Sequence, residues 1–263
     1  MTGRRRTLTA GGRRLEYAWH GPGPSAAPTL VFLHDGIGCV DTWRDFPSVL
    51  AAAVGCGALV FSRAGYGGSE PVPLPRPLDY LEEEGEVTLP DVLDAAGIRV
   101  AFLVGHSDGA SISLLHASTA RAVPRVRGLV LEAPHVFCED ITVEGIGRLR
   151  EEYLQGDLRK RLARYQRGNV ECAFWGWCRA WLDPGFRAWN IEDRLRTVTA
   201  PAMVIQGVDD PFGTLRQVDA IERGAGGTVR RLVLDRCGHT PHRERRDATL
   251  AAMAGFLRSL SDT

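Results

Sequence analysis

The amino-acid sequence predicts an α/β fold, in which a mostly parallel central sheet is flanked by helices. Short apolar and β-branched runs alternate along the chain with longer stretches of helical periodicity, the pattern of repeated strand–helix units. Most of these runs are almost continuously apolar, as strands buried on both faces require. A chain of 263 residues is long enough to bury one substantial core.

The predicted strands and helices follow one another in a regular order. An early hairpin strand is expected at 16–19, and further strands at 29–33, 58–62, 100–104, 126–131, 202–206 and 229–234. Helices are expected at 42–54, 78–96, 107–121, 214–223 and 243–260.

The alternation is interrupted once, between His135 and about Asn190. This segment shows no strand signal and contains amphipathic helical stretches and the aromatic-rich run C-A-F-W-G-W-C-R-A-W-L-D-P-G-F-R-A-W. An insertion of this size between two strands is too small for a core of its own and predicts a helical cap over the active edge of the sheet. We therefore divide the chain into an α/β core of residues 1–134 and 191–263 and a cap of residues 135–190.

Composition and charge argue against several classes of partner. Lys plus Arg and Asp plus Glu number 32 each, so no global field attracts nucleic acid or anionic lipid. The basic N-terminus is followed by no apolar signal region, and no stretch approaches the ~18 apolar residues of a membrane span. The cysteines show no C-x-x-C pair and are interpreted as free thiols. We expect a cytoplasmic protein that binds a small-molecule substrate and binds neither nucleic acid nor a membrane. A homodimer is possible.

The strongest motif is G-H-S-D-G at residues 105–109. It lies directly after one predicted strand and directly before a predicted helix, which is the context that G-x-S-x-G requires. In this context the serine occupies a sharp strand-to-helix turn, where side chains larger than glycine at the flanking positions would collide. Because the hydroxyl is then exposed at the edge of the sheet, Ser107 is the predicted nucleophile.

The predicted base is His239. The motif D-R-C-G-H-T-P-H follows the last predicted strand, so His239 lies in a loop just beyond a strand end. Most of the other histidines, His242 among them, are interpreted as surface or loop residues.

The acid that orients His239 is expected at the end of the strand before it. That strand leads into G-V-D-D-P-F, which offers Asp209 and Asp210. The third position after the glycine favours Asp210, and the resulting order of serine, aspartate and histidine is typical of one class of hydrolases. Asp209 stays open as an alternative, as does Glu132 at the end of an earlier strand.

Two backbone amides are expected to stabilise an oxyanion. The N–H of Asp108 follows the nucleophile at a helix N-terminus. The turn H-D-G-I-G follows the strand 29–33, and its glycines let backbone N–H groups approach a substrate oxygen, which favours the amide of Gly36. His34 is interpreted as a structural residue of this turn.

Several motifs together resemble those of the α/β-hydrolase superfamily, in a branch with a short helical cap. They are V-F-L-H-D-G-I-G, S-R-A-G-Y-G-G-S-E, L-V-G-H-S-D-G-A, V-I-Q-G-V-D-D-P and C-G-H-T-P-H, and they extend the resemblance from about Arg14 to Leu257. The family usually shows H-G-x in the oxyanion turn, where this chain has Asp35. The resemblance implies the α/β-hydrolase fold and a reaction in which His239 takes the proton of Ser107 as the hydroxyl attacks a carbonyl.

Four residues are candidates for lining the substrate site: Ile37, Arg63, His135 and Trp177. Arg63 and His135 are placed to bind a carboxylate, with a structural ion pair or hydrogen bond as the alternative. Trp177 either contacts the substrate or packs a cap helix against the sheet. No metal or organic cofactor is expected, because metal-ligand spacing is lacking and no G-x-G-x-x-G follows a first strand.

Three functions stay open at this point. The favoured one is hydrolysis of a carboxylic ester, lactone or thioester of a small to medium organic substrate, through an acyl-enzyme on Ser107. The second is cleavage of a carbon–carbon bond in a β-diketone or vinylogous acid by the same triad. The third keeps the fold without hydrolysis, as a biosynthetic cyclase or lyase or as a binding module, and an intact triad argues against a pure binder.

Overall fold

A single eight-stranded sheet forms the centre of the structure, a computed structural model that describes residues 5–123 and 125–261. Its strands are β1 (Arg6–Ala10), β2 (Arg13–His20), β3 (Thr29–Leu33), β4 (Gly57–Phe61), β5 (Ala101–His106), β6 (Val126–Glu132), β7 (Ala202–Gly207) and β8 (Val229–Leu234). Their order is β1-β2-β4-β3-β5-β6-β7-β8. The strands β3 to β8 are parallel, and β2 is antiparallel to both of its neighbours. The predicted fold class is confirmed.

The edge hairpin of β1 and β2 is longer than the sequence indicates, because only 16–19 is predicted there. The sequence of β1, R-T-L-T-A, leaves most of its side chains exposed or half-buried. It therefore lacks the continuous apolar run by which the buried strands are recognised. Gly11 and Gly12 join the two strands with φ of 56° and 68°, a left-handed backbone that glycine adopts without strain.

Eleven α-helices surround the sheet within the described residues. They are α1 (Phe46–Val54), α2 (Tyr80–Glu83), α3 (Leu89–Ala95), α4 (Asp108–Ala117), α5 (Asp140–Gln155), α6 (Leu158–Gln166), α7 (Val170–Leu182), α8 (Glu192–Leu195), α9 (Leu215–Gly224), α10 (Pro241–Glu244) and α11 (Arg246–Ser261). The single helix expected at 78–96 is divided into α2, a π-helical turn at 84–88 and α3. This turn passes close to α4, since a Cβ on Gly85 would lie 2.9 Å from the Ile112 carbonyl oxygen.

Each face of the sheet carries its own apolar core. Successive residues of β3 alternate between the two faces: Val31 and Leu33 pack in one core, and Leu30 and Phe32 in the other. The first core also contains α3, α4, α9 and the helices that follow β6, whereas the second contains α1 and α11. Burial on both faces explains why β3 to β7 read as continuous apolar runs.

The helices α5, α6 and α7 form an insertion between β6 and β7. An antiparallel bridge joins Phe137 to Asn190, where the insertion begins and ends. Two backbone hydrogen bonds flank this bridge, from Cys138 to Trp189 at 3.2 Å and from Ile191 to Val136 at 2.8 Å. The insertion thus leaves the sheet and returns to it at one point. Its division from the core as a separate cap unit stays a prediction.

Residues 5–123 and 125–261 contain no membrane-spanning helix, no metal-binding cluster and no disulfide. None of the helices there has the length and apolar character to cross a bilayer. The same residues contain no cluster of three or more His, Cys, Asp or Glu side chains suited to a metal ion. All six cysteines are free thiols.

Candidate active site

Ser107 lies in a sharp turn between β5 and α4. Its backbone has φ 54° and ψ −119°, a conformation that residues other than glycine rarely adopt and that costs about 1–3 kcal/mol. The two glycines of the motif make the turn possible. A Cβ on Gly105 would overlap the Gly109 carbonyl, and a Cβ on Gly109 would overlap the Leu33 carbonyl. The turn thereby presents Ser107 at the carboxyl edge of the sheet.

His239, in the loop after β8, is hydrogen-bonded to Asp210, in the loop after β7. The His239 Nδ1 lies 2.9 and 2.8 Å from the two carboxylate oxygens of Asp210. Because a carboxylate only accepts hydrogen bonds, Nδ1 carries the proton and Nε2 of the neutral ring is an acceptor. The Asp210 carboxylate also accepts from the Gln206 side-chain amide at 2.7 Å and from the Phe212 N–H at 2.8 Å.

The two alternative acids do not contact His239. Asp209 is exposed to solvent. Glu132 is fully buried and accepts a hydrogen bond from the Nδ1 of His242 at 2.7 Å. The interpretation of His242 as a surface or loop residue is therefore wrong, because its buried ring partners a buried carboxylate beneath the site.

The electrostatic environment of His239 favours its protonated form. Burial of the ring opposes protonation, but the charge of Asp210 and its hydrogen bond outweigh that effect, and the pKa of His239 is raised above 6.5. Burial likewise opposes ionisation of Asp210, yet His239 holds the pKa of this carboxyl below its usual 3.8. The Asp210 carboxylate is thus placed to stabilise the protonated ring of His239.

His106 supports the loop that carries His239. Its Nε2 lies 2.7 Å from the backbone carbonyl of His239, and since a carbonyl only accepts, Nε2–H is the donor. Burial lowers the pKa of His106 to about 4, so the ring is neutral near pH 7. The residue before Ser107 therefore holds the His239 loop in place by a hydrogen bond to its main chain.

Ser107 and His239 line the same cavity, whose volume is about 50 Å³. Three of the four predicted lining residues, Ile37, His135 and Trp177, also line it. Arg63 is not part of its wall, which corrects that prediction. The Arg63 guanidinium is fully buried beneath the oxyanion turn, where it donates to the Asp35 carbonyl at 2.9 Å.

His135 faces the cavity as a neutral ring. Burial lowers its pKa to about 4, so it carries no charge with which to bind a carboxylate near pH 7, contrary to expectation. Its Nδ1 is buried and has no hydrogen-bond partner within the described chain. The ring centroid lies 6.0 Å from that of His239. A substrate atom that donates or accepts a hydrogen bond would complete this environment.

The amides of Gly36 and Asp108 are both unused by the described parts of the protein, since neither donates a backbone hydrogen bond there. The orientation of the Gly36 amide follows from its peptide plane. The Asp35 carbonyl of that plane accepts from His34 Nδ1 at 2.8 Å and from Arg63 Nη2 at 2.9 Å. In a trans peptide the N–H points the opposite way, so the Gly36 N–H is directed away from Arg63.

The peptide between Asp35 and Gly36 is therefore held in one orientation by two hydrogen bonds. The aspartate at position 35, where the resemblance to α/β-hydrolases leads one to expect glycine, does not disturb it. His34 is a structural residue of this turn, as the sequence predicts. Its Nε2 accepts a hydrogen bond from the backbone N–H of Arg63 at 3.0 Å. Since Nε2 of the neutral ring is the acceptor, Nδ1 carries the proton and donates to the Asp35 carbonyl. Burial lowers the pKa of His34 well below 6.5 and keeps the ring neutral.

The side chain of Asp108 is anchored below the site. Its carboxylate accepts from the Tyr80 hydroxyl at 2.7 Å and from the Trp181 indole N–H at 3.2 Å, and it lies 3.6 Å from Arg63 Nη2. Trp181 belongs to α7 of the insertion. Asp108, which follows Ser107, is thus held by both the core and the insertion.

Gln166, at the end of α6, braces the oxyanion turn from the other side. Its side-chain amide donates to the carbonyls of Ile37 and Gly38 at 2.6 and 3.0 Å, and its oxygen accepts from the Gly67 N–H at 2.7 Å. Gln166 is fully buried. One side chain of the insertion therefore joins two turns of the core.

Sequence reasoning did not identify several residues of the cavity wall. They are Thr142, Ile146 and Leu149 of α5, and Phe212 in the loop after β7. The spacing of three and four residues in α5 is the signal that indicates one apolar helix face. No comparable pattern marks Phe212, whose ring lies 4.8 Å from that of His239.

Comparison with known proteins shows a match to a model of the alpha/beta hydrolase family over residues 30–252. A curated relative, the 2-succinyl-6-hydroxy-2,4-cyclohexadiene-1-carboxylate synthase of Salmonella paratyphi C, is 32% identical over 119 residues. The match covers 45% of this chain and 43% of the relative, so the chain aligns with less than half of that protein.

Solved structures with the same fold match almost the whole chain at low identity. The 2-hydroxy-6-oxo-6-phenylhexa-2,4-dienoate hydrolase of a Rhodococcus species is 18% identical, with a TM-score of 0.78 and 99% coverage of both chains. The enol-lactonase of Burkholderia xenovorans is 20% identical, with a TM-score of 0.74, and the alignment covers 96% of this chain and 99% of the enol-lactonase. At these identities the likeness extends to the fold alone.

The histidines of the site are expected to titrate in two groups. In a nuclear magnetic resonance titration of the ring nitrogens, His239 titrates above 6.5, and His106 and His135 titrate at about 4. Asp210→Asn should lower the pKa of His239, because burial then acts without the opposing carboxylate. An unchanged His239 titration in this variant would contradict the assigned pairing.

Gly36→Ala is expected to destabilise the protein, because the new Cβ would overlap the Trp177 indole. Overpacking of this kind costs roughly 1–3 kcal/mol of unfolding free energy, measured by urea denaturation. Gly147→Ala is the matched control, since a Cβ there meets nothing within 4 Å and removes a glycine from α5. The control should gain about 0.5–1 kcal/mol. Equal effects of the two substitutions would refute the contact.

Proposed function

Because the chain belongs to the alpha/beta hydrolase family, we propose that it is a serine hydrolase. It cleaves a carboxylic ester, lactone or thioester of a small to medium organic substrate through an acyl-enzyme on Ser107. The observation that carries this proposal is the Asp210-bound His239, which shares one cavity with the strained Ser107.

The first step is attack of the Ser107 hydroxyl on the substrate carbonyl. With Nδ1 of His239 bonded to Asp210, Nε2 is the atom that takes the serine proton. The raised pKa of His239 supports this role, because the imidazolium formed in the step is stabilised by the neighbouring carboxylate. The same proton then goes to the departing alcohol or thiol.

The negative charge of the tetrahedral intermediate is held by backbone amides. The unused N–H groups of Gly36 and Asp108 are the donors we assign to this oxyanion. Water then attacks the acyl-enzyme, with His239 again accepting a proton, and releases the acid.

The acyl group occupies the cavity beside Ser107. Its wall includes Ile146, Leu149, Trp177 and Phe212, which favours an apolar acyl chain, and the neutral His135 supplies a polar contact. An apolar cavity of about 150 Å³ holds one benzene molecule. The cavity of about 50 Å³ is smaller, which favours a short acyl chain.

Labelling with a fluorophosphonate tests the nucleophile directly. We expect one adduct, mapped by mass spectrometry to Ser107, and none in Ser107→Ala. Turnover of p-nitrophenyl acetate and butyrate should fall by several orders of magnitude in Ser107→Ala, as in other triads. Ser113→Ala is a control that removes a buried hydroxyl in α4 bonded to Gly109. Equal hydrolysis by wild type and Ser107→Ala would rule the proposal out.

A non-hydrolytic reaction on the same residues is the second candidate. It is favoured by the 32% identity to a curated synthase, whose matched segment covers 45% of this chain. Here His239 would abstract a proton and the Gly36 and Asp108 amides would stabilise an enolate, without an acyl-enzyme.

The two candidates differ in their use of water. During hydrolysis in H₂¹⁸O, the released acid gains ¹⁸O, and an acyl-enzyme on Ser107 accumulates in rapid-quench samples. The hydrolase proposal is disfavoured if neither ¹⁸O incorporation nor an acyl-enzyme is found for any ester, lactone or thioester tested. Turnover of a dienol-type ketone would then favour cleavage of a carbon–carbon bond. Turnover of an enolisable substrate without hydrolysis would favour the non-hydrolytic reaction.

A further inference from the structure

A second, larger cleft adjoins the oxyanion turn. Its volume is about 400 Å³, and its wall includes Trp43, His106 and His242. Asp35 and Ile37 line both this cleft and the cavity that contains Ser107. The cleft also reaches Thr240, the neighbour of His239. It is therefore separated from the nucleophile only by the turn that carries the Gly36 amide.

Four arginines line this cleft, which we call the arginine cleft: Arg44, Arg161, Arg164 and Arg243. Among the residues that the structure describes, Asp35 is the single acid in its wall. Arg161 forms ion pairs with Glu152 and Asp157. The other three arginines have no carboxylate partner within residues 5–123 and 125–261.

The nearest acids in sequence are engaged elsewhere. Asp41 pairs with Arg5, and Asp45 pairs with Arg246 at 2.9 Å. Glu244, next to Arg243, accepts the backbone N–H groups of Gly238 and Thr240. Since the whole chain has equal numbers of acidic and basic residues, this accumulation of positive charge is local.

Another cleft of the same volume, about 400 Å³, differs in this respect. It also contains three arginines, but Glu192 and Asp219 belong to its own wall. Two of its arginines have carboxylate partners, Arg187 with Asp140 and Arg216 with Glu139. Its charges are largely compensated within the protein, whereas those of the arginine cleft are not.

The backbone of Arg44 is strained. Its φ is 55° and its ψ −126°, close to the conformation of Ser107. Residues with a side chain rarely adopt this conformation, and those that do cluster at catalytic and ligand-binding sites. This strained residue belongs to the wall of the arginine cleft.

We propose that the arginine cleft binds an anionic group, carboxylate or phosphate, on the alcohol or thiol part of the substrate. The inference rests on the hydrolase function proposed above. The small apolar cavity beside Ser107 suits the acyl part, so the larger cleft on the other side of the oxyanion turn receives the leaving group. Arg164 and Arg243 supply charge-assisted hydrogen bonds to the anion, and the leaving group departs with its charge facing solvent.

Binding is tested first without catalysis, by calorimetry on the Ser107→Ala protein at low salt. The probes are inorganic phosphate and 2-nitrobenzoate, which distinguish the two anion classes. We expect saturable binding of at least one probe, weakened about tenfold or more by Arg164→Gln with Arg243→Gln. The Arg164→Lys with Arg243→Lys variant should retain most of it, since the charge is kept.

Arg127→Gln is the matched control, because Arg127 is exposed in β6 and lies outside the arginine cleft. It should leave binding of both probes unchanged. No saturable binding of either probe, or equal weakening by the control and by the double glutamine variant, would overturn the proposal.

Catalysis is tested with two butyryl thioesters that differ by one carboxylate on the leaving group. They are those of 5-thio-2-nitrobenzoate and of 4-nitrothiophenol. We expect the ratio of their kcat/KM values to favour the charged thioester in wild type and to fall about tenfold in the double glutamine variant. Equal ratios in both proteins would overturn the link to the substrate. If no ester, lactone or thioester is cleaved while anion binding depends on Arg164 and Arg243, the hydrolase proposal fails and the binding site stands.

Discussion

The backbone of Ser107 is held by its neighbours in a conformation that costs free energy. The strand β5 leads into the turn between two parallel neighbours, β3 and β6. The Ser107 N–H donates to the Glu132 carbonyl at 2.9 Å, and its carbonyl accepts from Ala110 at 2.8 Å. Without Gly105 and Gly109 the turn would collide with its own helix and with β3. A rigid sheet centre and two missing side chains are therefore what expose this hydroxyl.

The insertion after β6 contributes directly to the ordering of the site. Trp181 donates to the Asp108 carboxylate, Trp177 packs on Gly36, and Gln166 bonds to the Ile37 and Gly38 carbonyls. Both amides that we assign to the oxyanion are thus adjacent to groups held by residues 166–181. The helices α6 and α7, the turn at Gly36 and the side chain of Asp108 are thus joined in one connected network of hydrogen bonds and close packing.

The sequence predicts the parts of this molecule that depend on local pattern. The boundaries of β3 and β8 agree with prediction, and the glycines around Ser107 mark its turn because steric exclusion acts over a few residues. The contacts of Arg63 and Glu132 could not be predicted. Arg63 is buried by residues far along the chain, and Glu132 bonds to His242, 110 positions away. A charged residue that follows a strand can lie either in the wall of a cavity or buried beneath it. Which of the two positions it takes is determined by tertiary packing and is not visible in the local sequence.

The bridge between Phe137 and Asn190 closes the insertion at its base, so that the chain departs from the sheet and rejoins it at neighbouring points. What lies between those points can lengthen, shorten or be exchanged with little effect on the spacing of β6 and β7, since the entropy of closing a loop rises slowly with its length. Substitutions at cavity-lining positions of the insertion such as Ile146 and Leu149 can change the shape of the cavity, whereas Gln166, Trp177 and Trp181 are constrained by their contacts with the core. An exchange of the insertion that alters the cavity must therefore keep these three side chains, because the turn at Gly36 and the carboxylate of Asp108 lose their contacts without them.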